Sequence, residues 1–220
     1  MLFLAVFCGF LAENYRESRV ERERAYELVG SFLVDLQHDT AQLNMLTKFR
    51  GEKEIMLDTL IFLLQKPPET IDRNSFYINL FNTYNFFSFS QSTGTISQLK
   101  NAGYLRYFSD NDLIRLISNY EYFVLDYKTG EGYQTEFYSK DVRDFFIHSR
   151  LIDILTDMVV SKKAPVGTGI VFYNADGMRN LISIINQLKI YNISQSVQDA
   201  RLKSEAIKLI DYLHRQFHLK

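Results

Sequence analysis

Cysteine is nearly missing from this chain of 220 residues: Cys8 is the only one. No intramolecular disulfide can therefore form, and a CxxC-type metal or redox site is excluded. Tryptophan is absent, and neither sign of charge dominates, with 25 Lys and Arg against 26 Asp and Glu. Without a cationic surplus the chain lacks the phosphate-neutralising surface of a nucleic-acid binder. The same balance offers no funnel for acidic ligands. Internal repeats, low-complexity tracts and a linker that would mark off a second domain are also lacking.

Signatures of chemistry are equally scarce. No serine sits in a GxSxG elbow, and no HExxH or paired Glu-x-x-His motif occurs. Gly167-Thr168-Gly169 lacks the further glycine and the following lysine of a phosphate-binding loop, so it reads as a flexible turn. The expectation is a non-enzymatic protein without a cofactor.

What is present is a globular composition, 46% hydrophobic and 23% charged. A domain of about 200 residues buries roughly 70% of its unfolded surface, so it needs no metal or disulfide staple. The 18 Phe and 14 Tyr fall mostly at helical spacing among aliphatics. Basic residues are not interleaved with them, so they read as core and not as a base-stacking platform.

The chain opens on MLFLAVFCGFLA, an uncharged run ending at Glu13-Asn14. As a helix this run spans about 18 Å, against a hydrocarbon core of about 30 Å. A secretory signal would need a basic start and a small-x-small cleavage site, and Phe10 occupies a position that must be small. A lipoprotein signal fails at Phe7, directly before Cys8. The preferred reading makes residues 1–13 the C-terminal part of a transmembrane helix whose start lies upstream. Ala5, Cys8, Gly9 and Ala12 share one helical face, a small-residue stripe of the kind that lets membrane helices pack closely. That face suggests a homo-oligomer or a protein partner in the membrane.

Arg16, Arg19, Arg22 and Arg24 follow, and the positive-inside rule alone would place them in the cytoplasm. Glu13, Glu17, Glu21, Glu23 and Glu27 alternate with them, as on a solvated helical stem.

From Asn14 to about Arg50 apolar residues recur at steps of three and four, among them Ala25, Leu28, Val29, Phe32, Leu33, Leu36, Leu43 and Leu46. Thr40 interrupts a possible heptad seam and Phe32 widens it, which suits a bundle better than a dimeric coiled coil. Gly51 suggests a break or bend, and Ile55 to Leu64 a second helix stopped by Pro67-Pro68. A short aromatic helix is expected over Asn74 to Asn85, then an extended stretch holding Phe86, Phe87 and Phe89. Thr93 or Thr95 would cap a helix through Lys100, with Gly103 as its stop. Ser109-Asp110-Asn111-Asp112 reads as a capping box opening a helix through Leu125.

Thr129 to Gly132 would break or bend that helix, which resumes from about Thr135 to Val159 with Phe137, Val142, Phe145, Phe146, Ile152 and Leu155 inward. SKKAPVGTG is a loop, and Ile170 to Tyr173 is strand-like. A last helix from Met178 to Phe217 should bury Leu181, Ile184, Ile185, Leu188, Val197, Ile207 and Leu213. The fold expected is an all-α antiparallel bundle of long helices, one domain over residues 14–220, continuous with the partial transmembrane helix.

Two stretches support a resemblance. VFCGFLAENYRE leads into a helix carrying Asp35-Leu36 and Asp39-Thr40, and the middle of the chain sets Thr95, Leu99, Lys100 and Gly103 before Tyr120 and Tyr122. In these features, over roughly residues 4–125, the chain resembles an uncharacterised family of bacterial single-pass membrane-anchored helical proteins, a domain of unknown function. The resemblance implies longer relatives with a basic N-terminal tail, a complete span and a domain outside the cytoplasm. The localisation it implies is the bacterial inner membrane with a periplasmic soluble domain.

Three polar groupings are candidates for chemistry. Asp211, His214 and His218 share a face of the last helix and have the residue types to ligate a transition metal. A solvated helix end with cations near the negative dipole is the simpler account, and no metal is expected. Asp35, His38 and Asp39 form a similar group that reads as ordinary surface. Asp144 and His148 read as an intrahelical pair. The functional expectation is a membrane-anchored interaction or scaffold module. The alternative is a membrane-anchored sensory or small-ligand-binding bundle, with Tyr104, Arg106, Tyr120 and Tyr127 lining the pocket.

Overall fold

The computed structural model describes residues 2–108, 111–170 and 175–217, and only the backbone of residues 2, 4, 5 and 175. Seven α-helices occupy the described residues: α1 (Leu2–Leu63), α2 (Arg73–Thr83), α3 (Gly94–Asn101), α4 (Asn111–Phe137), α5 (Arg143–His148), α6 (Leu151–Ser161) and α7 (Ala175–Phe217). Single 3-10 turns lie at Pro68–Thr70 and Tyr104–Tyr107, and a π-helical turn at Tyr138–Val142. Among the described residues there is no strand, only one isolated bridge between Asp72 and Thr168. The all-α class holds, and α1 runs unbroken from the apolar opening residues onward.

The chain forms two compact units, one within Met1–Gln42, Ser90–Val124 and Arg201–Lys220, the other within Leu43–Phe89 and Leu125–Ala200. The three long helices contribute to both. In the first unit the buried side chains include Val29, Phe32, Leu36, Ile96, Leu99, Ile117, Leu202 and Leu209. Tyr26, Phe108 and Phe217 meet edge to face there, with centroids 5.4–5.6 Å apart. In the second unit the core gathers Leu57, Leu60, Phe76, Leu80, Phe146, Leu155, Leu181 and Leu188.

One periodicity organises the long helices. In α1 the buried residues include Ala25, Val29, Phe32, Leu36, Asp39, Leu43, Leu46, Arg50, Lys53, Leu57 and Leu60, in steps of four and three, with Leu33 and Leu63 beside that row. In α7 they are Leu181, Ile185, Leu188, Asn192, Gln195, Asp199, Leu202, Ala206, Leu209 and Leu213, in the same steps. This is the heptad of supercoiled helices. Polar side chains occupy several of its inward places, which hides the seam from a count of apolar residues alone.

That seam accounts for the departures from expectation. Gly51 neither breaks nor bends the helix into two elements: α1 passes through it, because Arg50, Lys53 and Leu57 hold the inward phase and Gly51 faces out. A glycine costs about 1 kcal/mol in a helix, less than the packing on either side of it returns. The tract Thr129 to Gly132 also stays within α4. A Cβ on Gly130 would lie 2.7 Å from the Gln198 side chain, so glycine here permits close packing of α4 on α7. Val197 and Ile207, expected inward, are exposed, since the inward places fall to Gln195, Asp199 and Ala206.

The helix expected over 135–159 is interrupted. The π-helical turn shifts the inward phase at Tyr138 and Val142, and Arg150, in the left-handed region at φ 58, separates α5 from α6. Of the expected inward residues there, Ile152 is exposed.

Among the other local signals the proline stop and the Gly103 turn act as read, Thr93 precedes α3 without a side-chain cap bond, and Asp72 is a cap the sequence reading did not name. Pro67-Pro68 follows the end of α1. Asp72 caps α2, its carboxylate accepting from the Ser75 N–H at 2.7 Å. Gly103 takes φ 68 after α3, and Phe89 is buried in the extended stretch while Phe87 is exposed. Ser109 and Asp110 of the capping box, and Val171 to Tyr173 of the strand-like stretch, lie outside the described residues. The preceding Gly169 and Ile170 bond back to Ile71 and Pro68 carbonyls at 2.8 and 3.0 Å.

Candidate functional site

The first turns of α1 form the most unusual surface. Every described side chain from Val6 to Val20 is exposed, and Phe3 is 82% exposed. Phe7, Phe10 and Leu11 are also open, an apolar patch of the kind that marks an interaction or membrane surface. Cys8, Gly9 and Ala12 of the small-residue stripe are exposed too, while the side chain of Ala5 lies outside the described residues. Beyond the patch, the stem pairs its charges along the helix: Glu13 accepts from Arg16 at 2.5 Å and Glu23 from Arg19 at 3.3 Å. No helix among the described residues is long and apolar enough to cross a membrane.

The second unit carries a buried polar layer. Arg50, 2% exposed, donates through Nε to Asp199 at 2.5 Å, and Asp199 is wholly buried. Its other donors reach the Tyr127 hydroxyl at 2.9 Å and Gln195 at 3.5 Å. Asn192 donates to the Arg50 carbonyl at 2.9 Å. Burial pushes the Asp199 carboxyl up against the pull of the Arg50 guanidinium. The second oxygen of Asp199 has no hydrogen-bond partner. Burial also raises Glu131, near the same cation, and the Tyr127 phenol.

One turn on, Lys53 is buried without a carboxylate at ion-pair distance. Its ammonium donates to the Asn85 carbonyl at 2.7 Å and to the Tyr138 hydroxyl at 2.6 Å, and that hydroxyl donates to the Thr83 carbonyl at 3.1 Å. The Tyr138 ring centroid lies 5.1 Å from the ammonium. Burial first, then the neighbouring Arg50 charge, lowers its pKa to about 7. A buried charge pair adds little net stability over an apolar replacement, but removing one partner is costly. Such a layer specifies which helical faces meet.

In the first unit Asp39 plays the comparable part. It is buried, not a surface residue as expected, and it accepts from the Ser92 N–H at 3.0 Å and the Tyr120 hydroxyl at 2.6 Å. Burial and the Asp39 charge together raise the Tyr120 phenol. His38 turns to Ser92 Oγ at 3.3 Å.

The remaining candidate residues do not converge. Tyr120 and Tyr127 are buried in separate networks in separate units, and Arg106 is exposed against Glu21, so the four residues expected to line one pocket do not do so. Asp211 is exposed and His214 half-buried, and His218 lies outside the described residues. Among the described residues no group of three His, Cys, Asp or Glu is placed to hold a metal ion. His148 meets the backbone carbonyl of Asp144 at 2.7 Å, and the Asp144 carboxylate pairs instead with Arg143 at 3.3 Å.

Cavities of several hundred Å³ occur in the second unit, away from these residues. One, of about 500 Å³, is a shallow groove lined by Lys140, Asp144, Asn180 and Gln187. Two more, of about 410 and 390 Å³, flank the loop after α6.

Arg50, Lys53, Asn192, Gln195 and Asp199 were all absent from the sequence-derived candidates. The signal was their phase: each falls on an inward heptad place where an apolar residue is the default. Compared with known proteins, the chain matches no family model, no curated protein and no solved structure.

Proposed function

We propose that this chain is a membrane-anchored helical interaction module without catalytic activity, held at the bacterial inner membrane with its bundle in the periplasm. The observation that carries the reading is the exposure of Phe3, Phe7, Phe10 and Leu11 on helix that none of the described core covers. Leaving large apolar side chains in water forfeits roughly 1.5–3 kcal/mol each relative to burial, so this surface is built to be covered by lipid or protein. The charged stem behind it keeps the next turns in solvent. The polar layers lie sealed among helices and give the bundle a defined pairing. The sidedness and the family reading rest on the resemblance of residues 4–125 alone.

The test is flotation of the full chain with liposomes, alongside sedimentation velocity. The wild-type chain should float or self-associate, and replacing Phe3, Phe7 and Phe10 by Ser should leave it free and monomeric with an unchanged circular dichroism spectrum. A wild-type chain that stays monomeric in detergent-free buffer and ignores liposomes overturns the proposal. Protease access in spheroplasts reads the sidedness independently.

A further inference from the structure

We propose that the cleft between α2 and α6 in the second unit binds a single-chain amphiphile with an anionic head, an acyl carboxylate or alkyl phosphate. This assignment is independent of the anchoring by α1. The two cavities of about 410 and 390 Å³ share Met158, Lys163 and Ala164 among their lining residues, so they adjoin. Their sizes fall within the roughly 300–1,000 Å³ of small-molecule sites.

Cationic and apolar side chains line both cavities. In the one of about 390 Å³, Ile78, Phe81 and Val159 stand with Lys162 and Lys163. In the one of about 410 Å³, Arg73, Tyr77 and Lys163 stand beside Ile154, Met158 and Pro165. Arg73 is anchored by its backbone N–H to Gly167 O at 3.0 Å and by Nε to Gly169 O at 2.5 Å. Among the described residues its terminal nitrogens meet no acceptor and no carboxylate lies at ion-pair distance. Tyr77, 3% exposed as a whole residue, lines the same cavity and can donate its hydroxyl to an acceptor seated there. Lys163 forms no ion pair either. Asp157 is the acid at this rim, outnumbered by the two cations.

The mouth is a built structure. The bridge between Asp72 and Thr168, with the Gly169 and Ile170 N–H groups bonded to Ile71 and Pro68, holds the loop against α2. Lys162 closes α6 at φ 55, a conformation that glycine adopts with less strain. Lys162 itself lines the cavity of about 390 Å³, a further cation on its wall. Cationic donors set beside apolar walls match an anionic head on a hydrocarbon chain.

Isothermal titration of the full chain with decanoate, well below its micelle concentration, tests the assignment. One saturable site is expected, and Lys163→Glu should weaken it about tenfold or more, the worth of one charge-assisted hydrogen bond. Tyr77→Phe should weaken it severalfold. Decyltrimethylammonium and decyl maltoside should bind at least about tenfold more weakly than decanoate, since the first head has no acceptor and the second no negative charge. Acetate and inorganic phosphate test whether the head alone suffices, and equal affinity for them would overturn the amphiphile. The Phe3, Phe7, Phe10 to Ser variant should bind decanoate like wild type; loss of binding there would place the ligand on α1 and overturn the assignment. No decanoate binding, or binding indifferent to head charge and to Lys163→Glu, would overturn it as well.

Discussion

Replacing Lys53 by Met should flatten the pH dependence of stability, and its size follows from the environment of the ammonium. Lys53 has a folded-state pKa of about 7, against 10.5 for the free side chain. Between those values the unfolded chain holds a proton that the folded chain has released. Unfolding therefore takes up protons, and stability rises with pH. At about 1.4 kcal/mol per unit the full span is about 4–5 kcal/mol, of which roughly 3–4 kcal/mol falls between pH 7 and 10. Near pH 10 the trend reverses. Burial raises the phenols of Tyr120, Tyr127 and Tyr138, so the unfolded chain loses those protons first and stability then falls. Urea unfolding followed by far-UV circular dichroism, repeated from pH 6 to 10.5, reads the slope directly. Wild type should gain stability up to about pH 9–10, and Lys53→Met should lack most of that gain. Parallel curves for the two proteins would refute the reasoning, because the buried ammonium would then be titrating as it does in water.

Asp199→Ala should cost about 3–5 kcal/mol in urea unfolding, since it leaves the Arg50 guanidinium buried among neutral partners. The double change Arg50→Met with Asp199→Leu should recover most of that loss in the same assay. Tyr120→Phe should cost about 1–3 kcal/mol by removing the donor to buried Asp39, measured as a shift in unfolding midpoint at constant slope. Gly51→Ala should stabilise by about 0.5–1 kcal/mol, because the position is exposed in a helix interior and an added Cβ meets nothing within 4 Å.

Much of the fold is legible in the order of residues. The apolar steps of α1, the stop at Pro67-Pro68 and the turn at Gly103 are local devices whose chemistry acts over one or two turns. Their outcome depends little on distant parts of the chain. The same local reasoning fails at Gly51 and at Thr129 to Gly132, where it assigns breaks. There the packing of whole helices outweighs the propensity of single residues. It fails at Val197 and Ile207 as well, because a count of apolar residues cannot see that Asn192, Gln195 and Asp199 take the inward places.

The heptad phase belongs to the sequence, but which polar side chain answers which does not. Arg50 and Asp199 are 149 residues apart, and Lys53 meets Asn85 and Tyr138 across 32 and 85. Nothing within a helical turn of any of them names its partner. The sequence by itself determined a mainly helical chain, a charged stem and an apolar opening segment, since each follows from side-chain period and local backbone preference. Only the tertiary structure decided that charges at inward places become sealed layers, and that Arg73, Tyr77 and Lys163 line one cavity. Burial and mutual distance are properties of the packed chain, and those two quantities set the pKa of Lys53.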